Sequence, residues 1–411
     1  MVASMPSEHA SGRTPPAPPA PETVLVRARE VIVRLAEEDE IAVDIGGERF
    51  VAPRVALAIL DAFATPRTVK EVVAAVAAAG SERSHEALDC IAELLENAVL
   101  VAPEKRAGIT TRGWMKPSIH INMLDDRART SGFCHALRQT VKPDDVVVDI
   151  GTGTGVLATC AAMAGARKVF AVESSGIGEL AERVFAANGV ADRVTLVRER
   201  STNVSLPERG TVLVTETIGN DPLDEQMLEI VTDAKKRLLH PGARIIPAKL
   251  EIFAVAVDVP RSILDRHVFT PRKLQAYRDA YGIDFSPLVE HRLSPSDPVM
   301  LEGRDVATWP LAPPLLLASI DLEGDFDPAI SSQGEITVSR DTQNLGVLLA
   351  FRAVLAPGIV LSTLPDECDP TNHWAHALFP AFACPSLEKG ARVSIDYWYE
   401  RGLTGMRISK G

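Results

Sequence analysis

One junction constrains this chain more than any other stretch: Val146-Val147-Val148-Asp149-Ile150 runs directly into Gly151-Thr152-Gly153-Thr154-Gly155. A continuous apolar run marks a strand buried on both faces of a sheet. The glycines allow a tight turn and a close approach of backbone to a ligand, and the helical segment Val156 to Ala164 follows. A second strand, Lys168 to Val172, ends in Glu173, twenty-two residues beyond Gly151. A carboxylate at that strand end can accept hydrogen bonds from both hydroxyls of a ribose. The dinucleotide fingerprint of dehydrogenases requires glycine at position 156, where this chain has Val156. The spacing is G-x-G-x-G instead.

With Asp149 and Glu173 closing successive parallel strands, the stretch resembles the class I S-adenosylmethionine-dependent methyltransferase fold. That resemblance implies an α/β, Rossmann-like sheet and S-adenosyl-L-methionine as cofactor. The rest of the composition narrows the context. A chain of 411 residues suffices for two or three domains. Its 43 Lys and Arg against 55 Asp and Glu give a net charge of −12, which argues against a nucleic-acid surface. Five cysteines (Cys90, Cys134, Cys160, Cys368, Cys384) without a CxxC pair suggest neither a disulfide framework nor a zinc site. No metal is expected, and a reducing cytoplasm is the default compartment. No apolar stretch reaches the ~18 residues of a membrane span, and no secretion signal is recognisable at the N-terminus.

Residues 1–23 carry six prolines among Ala, Ser and Gly and read as a disordered tail. From 24 to 105 the pattern predicts a small α+β unit. Val26 to Arg29 and Ile41 to Asp44 are short strands, with Gly46-Gly47 turning into Arg49-Phe50-Val51. Thr68-Val69-Lys70-Glu71 has capping-box spacing and opens the second of three helices. The third, about His85 to Asn97, puts Leu88, Ile91, Leu94 and Leu95 on one face, and a short strand Val99 to Ala102 follows. This order is winged-helix-like, without a dense basic helix. It resembles the PqqD-like recognition domain, which captures the leader segment of a precursor peptide as an added strand. The alternative is a packing or dimerisation module.

A further strand, Thr211 to Thr215, ends in Glu216, and Glu225 lies nine residues on, before a helical run through Leu239. Two glutamates bracketing a loop at the carboxyl end of such a sheet stand where ligands bind. The stretch resembles the double-glutamate loop of protein arginine methyltransferases. The resemblance extends to Ile119 through Thr130, like that family's cofactor-covering segment, to Asn372-His373-Trp374, like its Thr-His-Trp loop, and to Tyr281 through Ser286, like part of its dimerisation arm. It spans about Trp114 to the end of the chain.

The resemblance implies roles residue by residue. Arg129 would pair with the methionine carboxylate of the cofactor, and His120 and Met123 would line its pocket. Asp149, the Gly151, Thr152, Gly153 and Gly155 turn, Glu173 and Ser174 would hold its methionine and ribose parts. Ser201 and Thr202 fall where the family contacts adenine. Glu216 and Glu225 would grip a guanidinium, with Glu216 also bordering the cofactor, and His373 would pair with Asp126. Met123 and Met227 match methionines around the acceptor nitrogen, and Trp374 and Trp114 would add to the acceptor wall. These residue types suit the chemistry. A guanidinium, cationic to a pKa above ~12, must meet a cationic sulfonium in a partly dry pocket, and paired carboxylates offset that repulsion.

Departures are also present. Thr217, Ile218 and Asn220 replace an aromatic-rich loop, and Pro117 and Ser118 stand near positions where the family supplies tyrosines. The sequence thus assigns 106–247 to the cofactor-binding domain. Residues 248–411 are assigned to a β-barrel-like domain with an inserted helical arm at about 261–293, implying a ring-shaped homodimer. The expected activity is methylation of arginine in a peptide or protein, with a ribosomal natural-product precursor recruited by the N-terminal unit. Two alternatives stay open: another amine, imidazole or small-molecule acceptor, and a non-catalytic winged-helix regulator.

Overall fold

The computed structural model describes residues 18–28, 31–35, 39–45, 48–78, 83–97, 99–103, 117–290, 298–301, 306–382, 384–400 and 402–411. Trp114, most of the N-terminal tail and the Gly46-Gly47 turn lie outside these. The chain divides into two compact units, one of residues 1–116 with Ser174–Ile177 and one of Pro117–Glu173 with Gly178–Gly411.

In the first unit, β1 (Val24–Arg27) lies between β5 (Arg67–Thr68) and β6 (Leu100–Val101), while β2 (Ile32–Leu35), β3 (Glu40–Ile45) and β4 (Glu48–Pro53) form an antiparallel meander. Three helices, α1 (Val55–Ala62), α2 (Val69–Ala77) and α3 (Arg83–Glu96), complete it. The capping box at Thr68 forms: its hydroxyl accepts from the Glu71 N–H, and the Glu71 carboxylate accepts from the Thr68 N–H at 2.9 Å. Ile59, Val72, Ile91 and Leu94 are fully buried where the three helices meet the strands.

The second unit opens with α4 (Pro117–Asp125) and α5 (Arg127–Thr140), then a parallel five-stranded sheet. Its order is β11-β10-β7-β8-β9, from β7 (Val146–Ile150), β8 (Lys168–Val172), β9 (Val194–Val197), β10 (Gly210–Thr215) and β11 (Leu239–Ile246). Each residue of β7 is buried, as two-sided coverage by α6 (Val156–Met163), α7 (Gly178–Ala187) and α8 (Met227–Arg237) requires. The register aligns Ile150 with Val172 and with Thr215. Glu173 and Glu216 therefore emerge from the same edge of the sheet, beside the glycine turn. One boundary differs from the sequence reading: the helical run ends at Arg237, and Leu239 begins β11, paired to β10.

Beyond Pro247 the chain builds two antiparallel sheets. The larger contains β12 (Lys249–Asp258), β13 (Val299–Leu301), β14 (Leu315–Asp321), β16 (Leu345–Ala356), β17 (Ile359–Ser362) and β18 (His376–Pro380). The smaller is β15 (Ile330–Thr337), β19 (Arg392–Glu400) and β20 (Leu403–Lys410). Between β12 and β13 lie α9 (Arg261–His267), α10 (Pro271–Tyr281) and a 3₁₀ turn at Ser286–Glu290.

The cysteine reading is corrected. Cys134 on α5 and Cys160 on α6 form a disulfide, leaving Cys90, Cys368 and Cys384 free. Spacing alone could not show this, because only the packing of α5 on α6 brings the two side chains together. The bond closes a loop of sequence separation 26, for which chain entropy gives about 3 kcal/mol. Alkylation of the unfolded, unreduced protein should label only those three free cysteines, with Cys134 and Cys160 added after reduction. Under oxidising conditions Cys134→Ser should lower stability by about 2–4 kcal/mol in a denaturant titration. Labelling of all the cysteines before reduction would overturn the bond.

Candidate active site

The glycine turn makes a cradle. Gly151, Gly153 and Gly155 have φ of +77°, +55° and +83°, a region that side-chain-bearing residues rarely enter. A Cβ on Gly155 would come within 2.5 Å of the Phe185 ring, and one on Gly153 would come within 3.6 Å of the His120 imidazole. His120, on α4 and only 6% exposed, thus lies over the turn. Glu173 reaches back from the end of β8 to accept from the Gly153 N–H at 2.9 Å. Ser174 follows it in the chain. Asp149 is fully buried, and Thr152 donates to its Oδ2, whereas Oδ1 has no hydrogen-bond partner within bonding geometry among the described residues. Burial pushes its carboxyl up to about 7. Ser201 and Thr202 start a 3₁₀ turn beyond β9, half-buried and exposed, and the Ser201 carbonyl accepts from Arg237. An orphaned buried carboxylate oxygen, a second carboxylate and a turn open to close approach fit a ligand rich in donors and bearing positive charge.

The loop after β10 is organised around Arg129. Asp126 caps α5, accepting from the Arg129 N–H at 2.9 Å. The guanidinium donates from Nε to Glu216 Oε2 at 2.7 Å, adds a second bond to the same oxygen, and donates to the Met123 carbonyl at 3.2 Å. Glu216 Oε1 accepts from the Ile218 N–H at 3.3 Å. Arg129 pairs with Glu216 inside the protein, and Glu216 already holds one guanidinium, the chain's own. Glu225 is the less committed carboxylate.

A loop more than two hundred residues away completes this wall. His373 Nδ1 lies 2.9 Å from Asp126 Oδ2, and the His373 N–H donates to the same oxygen at 3.1 Å. Trp374 Nε1 donates to the Ile218 carbonyl at 2.7 Å, and Asn220 accepts from the Ala375 N–H at 2.7 Å. Trp374 is buried edge-on against Phe351. Sequence reading noted Ile218 and Asn220 as departures. The structure makes them anchors, and Asn220 could have been suspected because a side-chain acceptor satisfies a loop N–H where an aromatic ring cannot. Met123 Sδ approaches the Arg129 guanidinium at 3.7 Å. Met227 is fully buried in the core at the start of α8.

Glu225 sits near Glu216 and Asp224, and burial, then those two charges, push its carboxyl up to about 8. Asp224 is exposed and lies against Gly219, and the neighbouring Asp221 charge pushes its carboxyl up. A carboxyl held above its ordinary 4.5 stabilises the fold fully below that value. As pH rises, the unfolded chain gives up the proton first, so this contribution is lost through the folded value of about 8. Without added ligand, Glu225→Gln should therefore melt above the parent protein at about pH 8, and the gap should close towards about pH 5. A gap independent of pH would refute the shift. In the cradle, Gly155→Ala should cost about 2–4 kcal/mol in a denaturant titration, from the left-handed backbone and the Phe185 overlap.

Comparison with known proteins agrees with this geometry. A family model described as ribosomal protein L11 methyltransferase (PrmA) matches residues 127–247, the cofactor half. Probable protein arginine N-methyltransferase 6 of Arabidopsis thaliana is 34% identical over 198 residues, covering 47% of this chain and 44% of that protein. Protein arginine N-methyltransferase 1 of Saccharomyces cerevisiae is 30% identical over 269 residues, covering 64% of this chain and 74% of that protein. The match spans less than half the length of the Arabidopsis protein and, at 40%, of protein arginine N-methyltransferase 2 of Dictyostelium discoideum. Among solved structures, the Trypanosoma brucei PRMT1 enzyme–prozyme complex superposes with a TM-score of 0.62 at 23% identity, over 72% of this chain and 95% of that one. Arabidopsis thaliana protein arginine methyltransferase 10 gives 0.58 at 20% identity, over 72% and 96%. The parallel sheet with its glycine cradle, and a relative matched over three quarters of its length, place this chain in the protein arginine N-methyltransferase family, on the class I S-adenosylmethionine-dependent methyltransferase fold.

Proposed function

We propose that this protein transfers a methyl group to an arginine guanidinium of a peptide or protein. The observation that carries the reading is the convergence of Glu225 with the Arg129–Glu216 pair and the His373–Asp126 pair around one loop. Asp149, Glu173, His120 and the glycine turn would hold S-adenosyl-L-methionine, which supplies an electrophilic methyl on a cationic sulfonium. Glu225, raised in pKa while alone, would become a stable carboxylate once a guanidinium stands beside it. It would orient the acceptor and leave lone-pair density on the attacking nitrogen. Glu216, fixed by Arg129 and the Ile218 N–H, adds negative potential where two cations meet. His373, oriented by Asp126, offers an exit for the proton the nitrogen loses.

The finer assignments rest on pattern. We assign residues 24–105 to a winged-helix-like, PqqD-like domain that recruits a precursor peptide as an added strand; among the described residues, β2 and β4 each pair on one side only. We assign 106–247 to the cofactor-binding domain and 248–411 to a β-barrel-like domain. The arm at about 261–293, with exposed Tyr281, Ile283, Leu288 and Val289, would serve a homodimer.

A second reading keeps the enzyme and changes the acceptor to another peptide amine. It is favoured by Thr217, Ile218 and Asn220, which stand where the family's loop usually has Trp, Met and an aromatic residue. Isotopically labelled S-adenosylmethionine and the small-peptide fraction of the host, followed by full hydrolysis, separate the two. Label is expected in methylarginine, falling at least about 100-fold in Glu225→Gln and Glu216→Gln. Label in any other amine would replace the guanidinium reading with the second.

A further inference from the structure

The segment carrying Glu225 has a feature that the chemistry above does not use. Gln226, its immediate neighbour, has φ +61° and ψ +36°, the only positive φ outside glycine among the described residues. Such a conformation costs about 1–2 kcal/mol and persists where the surroundings over-determine it. The surroundings here are the β-hairpin of β19 and β20, which pairs Tyr399 with Thr404 and turns through Gly402. Gly402, at φ +78°, lies so close to Gln226 that a Cβ there would stand 3.0 Å from the glutamine Cγ. On one side of Glu225, Thr404 Oγ1 donates to Asp221 Oδ1 at 3.1 Å, both residues being buried. On the other, Tyr399 donates from its hydroxyl to Glu229 Oε2 at 2.7 Å, in the first turn of α8.

The hairpin therefore grips the chain at Asp221, at Gln226 and at Glu229, with Glu225 between the first two. The front of the same loop is already tied, at Ile218 and Asn220, by Trp374 and Ala375. A carboxylate in a crowded acidic neighbourhood tends to swing towards water, and freedom of about 1 Å at such a position is costly to a transfer reaction. We infer that the β19–β20 hairpin is the positioning element for Glu225, with Thr404, Tyr399 and Gly402 as its positioning residues. This rests on Glu225 being the acceptor carboxylate.

The test uses the full chain and compares Thr404→Val and the Tyr399→Phe/Thr404→Val pair with the conservative Thr404→Ser. Two readouts are taken: amide hydrogen exchange across 217–226, and kcat, KM and S-adenosylmethionine Kd with an arginine-bearing peptide from the host. The double variant should raise exchange in 217–226 and lower kcat, each about tenfold, with cofactor Kd within about twofold of the parent. Thr404→Ser should restore both. Gly402→Ala, which alters the turn that Gln226 packs against, should loosen the same segment. Unchanged exchange in 217–226 would overturn the inference, and so would a rate loss matched by an equal loss of cofactor affinity. Loosened exchange with an undiminished rate would also overturn it. Should methyl transfer occur only on another amine, the guanidinium reading fails by itself, and the rate comparison on that amine still decides the hairpin's role.

Discussion

The contact on which the site depends is the ion pair between Arg129 and Glu216, whose side chains are 8% and 6% exposed. A pair this dry is held together by the cost of separating it: removing either partner would leave an uncompensated buried charge. Its geometry ties the start of α5 to the end of β10. Arg129 belongs to the first turn of α5, fixed by the Asp126 cap, while Glu216 stands at the end of β10. Through this pair the covering helices are pinned to the open edge of the parallel sheet, at the place where Glu173 and the glycine turn also end.

The same pair sets the electrostatics of what lies beyond it. Burial first, and then the neighbouring Glu216 and Asp224, raise the proton affinity of Glu225, which Arg129 offsets only in part. The site is thus prepared for a cation rather than satisfied without one. Neighbouring loops hold these carboxyl groups together instead of letting them disperse into water.

The cofactor half was legible because its signals are local. An apolar run, a glycine-spaced turn and a carboxylate at a fixed interval each reflect a backbone or packing requirement within a few residues, and Thr68 with Glu71 is legible for the same reason. The missed features depend on non-local pairing. Strands β14, β18 and β20 carry no strict alternation, since their burial is decided by which sheet they join. The helix reading through Leu239 failed because β10 recruits that segment as a parallel edge. Cys134 with Cys160, Asn220 with Ala375 and Thr404 with Asp221 are meetings of distant segments, and spacing along the chain carries no record of them. The family resemblance supplied the residues of the acceptor loop but not the partner that Arg129 takes.

The pairing of Asp126 with His373 spans 247 residues, and it has a consequence for assembly. Contacts of such separation incur their loop-closure entropy before they are rewarded, so they form late. The glycine cradle, by contrast, is finished within a βαβ stretch from Val146 to Glu173. A cradle can exist on a partly folded chain, whereas the wall made by His373 and Trp374 exists only when the last sheets have closed. The wall of the site thus depends on segments from both ends of the second unit, and the glycine turn does not.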